Sequence, residues 1–481
     1  MIRAGKKYQH LIRSGTCDCC SVALQQVSHR LEEFTRRRFL AGAGAALVAG
    51  STPALALGQP GPRSKTLFRQ LRLFDGKSDT LRSGVQILVV GNKIASVDPT
   101  NNPPPADAEV IDCGNRVLMP GMIDAHWHTL FAAVPLAMLT SADPGFVFSA
   151  STAEAGRTLL RGFTTVRDLG GPVFSFKQAI DRGVISGPRI FPSGAMITTS
   201  GGHGDMRMLS EIPRESGQLS SIERAGAAML ADSAGEVKLR AREQMLQGAS
   251  QLKVIGGGGV SSPRAPLDMT TFSEKDLRAA IEVARDWNTY ATVHAYAPHT
   301  IQRAIAAGAT CIEHGHLMDD ATARLFAEKG VWLSTQPFLT FDDVGALSGP
   351  AHEKAQKVFS GTPKIYELIR KYNINAAWGS DLLFSPELTP RQGIMLTHLS
   401  RWYSNAETLR MATSVNAELL ALSALRNPYP GKLGVVEKGA LADLLVVNGN
   451  PLQNINIIED PGKNLDVIMK DGRLYKNTLR S

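Results

Sequence analysis

Hydrophobic and polar positions along this chain fall into three regimes. Residues 66–118 hold short apolar or alternating runs, TLFRQLRLFDG, SGVQILVVGNKIASV and AEVIDCGNRVLMPG, each punctuated by Gly, Asn or Asp. Side chains alternate between the two faces of a strand, so this pattern predicts a small β domain. The chain ends in the same character, GVVEKGALADLLVVNGN and LDVIMKDGRLYKN, which predicts one β-sandwich assembled from both ends. Between them, apolar runs alternate with amphipathic stretches such as SEKDLRAAIEVARDW (273–287) and HTIQRAIAAG (299–308), the rhythm of βα units. Eight strand candidates occur, at 117–126, 164–169, 189–194, 250–256, 290–296, 309–315, 331–337 and 375–381. Eight parallel strands joined by helices close into a barrel. The expected fold is α/β: a (β/α)8 TIM-type barrel over 119–425, with a small β-sandwich domain from 57–118 and 426–481.

Residues 1–56 stand apart. Thr35-Arg36-Arg37-Arg38-Phe39-Leu40 precedes an Ala- and Gly-rich apolar run, and Ala54-Leu55-Ala56 comes after it. That is the layout of a cleavable export signal, and the paired arginines match the twin-arginine type. The run is short, rich in glycine and followed by Pro53, so no stable membrane anchor is expected. The mature protein is expected in the periplasm, or secreted, in a bacterium. Eight of the 52 lysines and arginines, but only three of the 44 acids, lie in residues 1–56. The rest therefore carries 44 basic against 41 acidic groups, a net +3 in place of +8, and gives no case for nucleic acid. Cys17, Cys19 and Cys20 fall in the segment expected to be removed, and a metal role for CDCC is weak. Cys113 and Cys311 adjoin apolar runs and fit buried thiols, with no disulfide framework.

Catalytic groups of such barrels sit where strands end. The first strand ends in Asp124-Ala125-His126-Trp127-His128, and residues two apart on a strand point the same way. The fourth strand carries Lys253 in QLKVIGGGGV, the fifth ends in His294, the sixth in His314 and the eighth in Asp381. Four of the 11 histidines thus converge with a carboxylate and a lysine, the composition of a metal site. Lys253 is anomalous, because a buried ammonium must lose its charge, find a partner or be chemically changed. An ordinary salt bridge to Asp381 or Asp168 is the plain alternative.

PGMIDAHWH, Lys253, His294, EHG around His314 and GSD ending at Asp381 resemble the metal-dependent amidohydrolase superfamily over nearly all of the mature chain. GFTTVRDLGG, TTSGGHGD, LKVIGGGGVSSPRAPLD and VHAYAPHT resemble its subgroup of Xaa-Pro dipeptidases, N-acyl-amino-acid carboxypeptidases and ochratoxinase-type hydrolases. The resemblance implies a carbamate (N6-carboxylysine) on Lys253 bridging two divalent ions. His126, His128 and Asp381 would hold one ion, and His294 and His314 the other, with a bridging hydroxide as nucleophile. Zinc suits these ligands, with manganese and cobalt as alternatives. Asp381 would carry the proton from water to the leaving nitrogen. Tyr296, His203 and His299 are substrate-contact candidates, with Arg303 and His316 behind them. The resemblance further implies a homo-oligomer and a small substrate with an amide bond and a free carboxylate. A lactone, phosphoester or cyclic amide would suit the same site. A mononuclear deaminase is disfavoured by Lys253 and by Ala297, where such enzymes place a glutamate. A non-catalytic scaffold is disfavoured by the complete ligand set.

Overall fold

The computed structural model describes residues 65–213, 217–262, 264–345 and 347–479. The expected export signal and CDCC lie outside the described residues. Among these, β1 (Lys65–Leu73), β2 (Arg82–Val90), β3 (Lys93–Pro99) and β4 (Ala108–Pro120) come first. Then follow β5 (Met122–Trp127), β6 (Phe163–Asp168), β7 (Arg189–Pro192), β8 (Met196–Thr198) and β9 (Ala228–Leu230). The strands β10 (Leu252–Ile255), β11 (Ala291–Ala295), β12 (Cys311–His314), β13 (Trp332–Thr335) and β14 (Ala376–Trp378) continue the series. The chain closes with β15 (Leu444–Val447), β16 (Leu465–Lys470) and β17 (Arg473–Asn477).

Both chain ends share one seven-stranded sheet, in the order β17-β16-β15-β4-β1-β2-β3. Strand β4 ties them together: it pairs in parallel with β1 from Ala108 to Leu118, and its last residues also pair with β15, Leu118 facing Val446. Phe68, Ile87 and Ile111 from one end of the sheet, and Leu444, Val446 and Val467 from the other, enter one apolar cluster. A bridge from Lys93 to Leu441 brings the β3 edge back towards β15. The sandwich is thus a single sheet curled over its own core.

In the barrel, β5, β6 and β7 pair in parallel, as do β8 and β10 to β14. Strands β7 and β8 are two halves of one barrel strand, interrupted at residues 193–195. Gln244 spans the gap by accepting a hydrogen bond from Ala195 N at 2.9 Å. The ring closes where Asn416 Nδ2 donates to Ile123 O and Trp378 O, joining β5 to β14. Two expectations shift. The run expected at 117–126 is divided at Pro120-Gly121, so residues 117–120 belong to the terminal sheet and the barrel strand starts at Met122. Strand β9, unforeseen, pairs with β8 at the sheet edge. Helices cover the outside, including α1 (Pro144–Leu160), α2 (Ala234–Gln247), α3 (Glu274–Asp286), α4 (Pro298–Ala307), α5 (Asp320–Lys329) and α6 (Gly349–Tyr372). Ser233 and Ser273 cap the first turns of α2 and α3, and left-handed Gly248, Gly308 and Gly330 stop α2, α4 and α5, so short loops return the chain to the next strand. Among the described residues no helix is long and apolar enough to cross a membrane.

Candidate active site

The C-terminal strand ends bring His126, His128, Lys253, His294, His314 and Asp381 into one cleft of about 290 Å³, together with Tyr296 and His203. Asp124 sets the first contact. Its carboxylate accepts from His126 N at 3.1 Å, Ser380 N at 3.0 Å, Ser380 Oγ at 2.6 Å and Gln392 Nε2 at 2.9 Å. These bonds lock the end of β5 against the turn after β14. Burial pushes the Asp124 carboxyl up to about 6, although all four partners pull it down. Gly379 allows the approach, since a Cβ there would stand 2.4 Å from the His126 backbone nitrogen. The next turn places Asp381 in the left-handed region at φ 51°, and His314 at the end of β12 lies at φ 74°. Such conformations cost free energy in non-glycine residues and cluster at functional sites.

The Asp381 carboxylate faces the imidazoles. Its Oδ1 lies 3.3 Å from both His126 Nε2 and His128 Nε2, and its Oδ2 lies 3.9 Å from His314 Nδ1. His294 and His314 stand with ring centres 4.4 Å apart. Donor atoms of His126, His314 and Asp381 all fall within 4.8 Å of one another, close enough to share one ion. Burial, then the neighbouring Lys253, lowers His126 to about 4 although Asp381 and Glu313 oppose it, and burial drives His294 and His314 well below their usual value. These rings are therefore neutral at pH 7 and carry lone pairs. One nitrogen of each ring already has a neighbour: His126 Nδ1 faces Glu313 Oε2 at 2.8 Å, His294 Nε2 bonds Gly258 O at 2.8 Å, and His314 Nδ1 bonds Gln336 Oε1 at 2.8 Å. The bonds of His294 to the Gly258 carbonyl and of His314 to Gln336 Oε1 place the proton on the bonded nitrogen and leave the opposite one as a ligand for a cation, while His126 Nδ1 lies between Glu313 Oε2 and Gln336 Nε2, the latter at 3.2 Å. Neutral imidazoles gathered around a carboxylate fit divalent metal.

Lys253 is 2% exposed. Among the described residues it forms neither of the salt bridges considered for it. Asp168 instead accepts from Thr129 N at 2.7 Å and Gly170 N at 3.2 Å. Burial lowers the Lys253 ammonium to about 8, partly opposed by the charges of Glu313 and Asp381. Glu313 is the residue sequence reasoning missed. It is wholly buried, pairs with Arg167 Nη2 at 2.7 Å and accepts from Thr292 Oγ1 at 2.6 Å. The available signal was two opposite charges, Arg167 and Glu313, inside runs otherwise fit for buried strands.

Tyr296 stacks on His314 with ring centres 4.8 Å apart, and its hydroxyl has no hydrogen-bond partner among the described residues. His203 stacks on His294 at 4.4 Å. His299 is not brought to the cleft: it is exposed, and its Nε2 bonds Asp268 O at 3.0 Å. Arg303 donates to Phe272 O, and His316 to Gln336 O. Apolar walls also line the cleft, from Phe131, Phe338, Val358, Phe359 and Phe384 among others; neither α6 nor the turn after β14 was foreseen in this role.

A closed eight-stranded barrel with this donor cluster at its catalytic end fits metal-assisted hydrolysis, and the family and relatives that follow make the bond cleaved an amide C–N bond. The chain belongs to the amidohydrolase family, whose profile matches residues 117–475. It is 28% identical over 423 residues to ochratoxinase of Aspergillus niger, covering 84% of this chain and 85% of that protein. A prolidase solved with N-methylphosphonate-L-proline is 32% identical, with a TM-score of 0.78 over 86% of this chain and 100% of that one. A Xaa-Pro dipeptidase with methionine bound in its active site is 28% identical, with a TM-score of 0.71 over the same shares, 86% and 100%.

Proposed function

We propose that the mature chain is an exported hydrolase that holds two divalent metal ions, zinc by preference, and cleaves an amide bond beside a free carboxylate. Dipeptides and N-acyl amino acids are the substrate class, in keeping with relatives named as a prolidase, a Xaa-Pro dipeptidase and ochratoxinase. His126, His128 and Asp381 would hold one ion, His294 and His314 the other, with carbamylated Lys253 between them. The observation that carries this reading is Lys253 itself, a buried amine beside four imidazoles with no carboxylate partner among the described residues. With its pKa lowered to about 8, a usable fraction is neutral amine at physiological pH. The amine lone pair attacks the carbon of CO2, a C=O bonding pair moves to oxygen, and an N–H proton leaves to solvent. The product is an anion with two donor oxygens, and the cost of burying an ammonium disappears.

Bound divalent ions supply Lewis acidity and make water acidic enough to act as nucleophile at neutral pH. The protein groups do the rest. Of the two carboxylates lining the cleft, Asp343 is committed to Leu339 N, Thr340 N and Arg391. Asp381 is left to take the proton of the attacking water and deliver it to the leaving nitrogen. The free Tyr296 hydroxyl and the His203 ring offer neutral donors to the substrate carbonyl or carboxylate. The apolar walls exclude water from the reacting bond.

The decisive experiment is elemental analysis and turnover of the mature protein, wild type and Lys253→Ala, on N-acyl amino acids and Xaa-Pro dipeptides. About two metals per chain, lost together with activity in the variant, is expected; one metal retained equally well without Lys253 would overturn the bridge. Asp381→Asn should abolish turnover while part of the metal is kept, and near-normal turnover would refute the proton-carrying role. Export predicts a mature N-terminus near residue 57, against an uncleaved cytosolic chain. Sizing the purified protein by light scattering tests the homo-oligomer.

A further inference from the structure

The glycine-rich loop after β10 and the first turns of α6 lie at the cleft, Val260 and Ser261 on one side and Ala351 and Ala355 on the other. One side chain fastens them. Lys354 of α6 places its ammonium 2.7 Å from Gly259 O, 2.5 Å from Ser262 O and 3.2 Å from Ala265 O. An ammonium has three N–H donors, and each one here meets a carbonyl. The residue is 8% exposed and makes no ion pair with a carboxylate among the described residues. An apolar side chain of similar volume would fill the space without the cost of desolvating a charge. What the ammonium adds is direction: it turns three backbone carbonyls towards one point.

That loop reaches the site through Ser262. Its Oγ accepts from Gly204 N at 3.0 Å and pairs with His203 Nδ1 at 2.8 Å. Among the described residues no other acceptor meets Oγ, so its hydroxyl is free to donate to Nδ1, an arrangement that makes Nε2 the N–H of the neutral ring. Gly259 packs flat against the same ring, where a Cβ would stand 2.3 Å from His203 Nδ1. His203 is thereby held over His294, while Gly258 O, in the same loop, holds His294.

We propose that Lys354 is a positioning residue for substrate: through the loop carbonyls and Ser262 it sets the place and tautomer of His203 and ties α6 to the wall beside the metal ligands. This rests on the hydrolase reading above, and the experiment keeps the two apart. Lys354→Met and Ser262→Ala are compared with wild type by steady-state kinetics, metal content and hydrogen exchange of the amides of residues 257–262. Lys354→Met is expected to raise KM about tenfold with kcat changed less than about threefold. Metal content should stay the same, and these amides should exchange about tenfold faster. Ser262→Ala should raise KM similarly while loop exchange stays near wild type, because Lys354 holds backbone and not the serine side chain. Unchanged loop exchange in folded Lys354→Met overturns the proposal, and so does a fall in kcat at constant KM. If Lys354→Met does not fold, an unchanged KM in Ser262→Ala does the same. Should wild type hydrolyse nothing on the panel, the hydrolase reading falls, and loop exchange still decides what Lys354 holds.

Discussion

Arg167 and Lys253 are both buried in the barrel, and their surroundings are opposites. Arg167 on β6 is wholly inaccessible and spends its donors on Ala125 O at 2.6 Å, Tyr290 OH at 3.0 Å, Ser334 Oγ at 3.0 Å and Glu313 Oε1 at 2.7 Å. Lys253 on β10 is nearly as buried and forms no ion pair among the described residues. The charge of Glu313 keeps Arg167 protonated against its burial, whereas burial outweighs every opposing charge at Lys253. A guanidinium suits the first task, because its planar fork can satisfy several acceptors at once. An amine suits the second, because it can give up its proton and react. On the proposed reading one cation is framework and the other is chemistry, though both appear in sequence as a charge inside a strand-like run.

If Lys253 serves chemistry, its loss is the larger functional effect and the smaller structural one. Lys253→Met should cut turnover by at least about 10⁴-fold, more than about 5 kcal/mol of transition-state stabilisation. The melting temperature of the metal-free protein should hold or rise, since an unpaired buried ammonium is replaced by an apolar chain. A metal-free variant markedly less stable than metal-free wild type would return Lys253 to the framework. Arg167→Met reverses the pattern. It leaves Glu313 buried without its guanidinium, and about 3–5 kcal/mol of folding stability should be lost in chemical denaturation. A loss below about 1 kcal/mol would mean that the pair carries no structural weight.

This contrast marks where sequence stops being legible. The eight barrel strands and the five strand-end residues around Lys253 could be read because backbone periodicity fixes direction: His126 and His128, two apart, face one way. His299 misled because it follows the right strand, yet opens α4 and turns outward to Asp268 O. Glu313 and Arg167 were passed over because pairing across the barrel interior depends on register between β6, β12 and their neighbours, which no local pattern records. The break between β7 and β8 was hidden in RIFPSG, where Pro192 ends one half-strand and the second begins at Met196. The walls from α6 and the turn after β14 are tertiary facts, since their apolar residues would serve equally well in an ordinary core.

Glu313 joins the two halves of the comparison, because one oxygen meets Arg167 and the other meets His126 Nδ1 at 2.8 Å. Glu313→Gln keeps the shape but removes the negative charge facing Nδ1. Metal affinity should fall about 10–100-fold, or about 1.4–2.7 kcal/mol, the usual cost of losing the partner that orients a ligating histidine. Competition with a chelator measures it directly, and unchanged affinity would confine Glu313 to the framework.

The smallest effect is the most discriminating. In Arg167→Met/Glu313→Leu both charges leave together, so neither is stranded. Thr292 Oγ1 retains a second acceptor in Cys311 O at 3.3 Å, while Ala125 O, Tyr290 and Ser334 each lose one partner. Replacing both members of a buried pair by apolar groups of similar size is often nearly neutral. Stability should therefore return to within about 1 kcal/mol of wild type, far above Arg167→Met alone. Metal affinity should stay as weak as in Glu313→Gln, because His126 still lacks its carboxylate. Recovery of the fold without recovery of the metal would separate what the pair does for the barrel from what Glu313 does for the site. If the double variant remained as unstable as Arg167→Met, the loss would lie in the guanidinium's bonds to Ala125 O, Tyr290 and Ser334, and not in a stranded carboxylate.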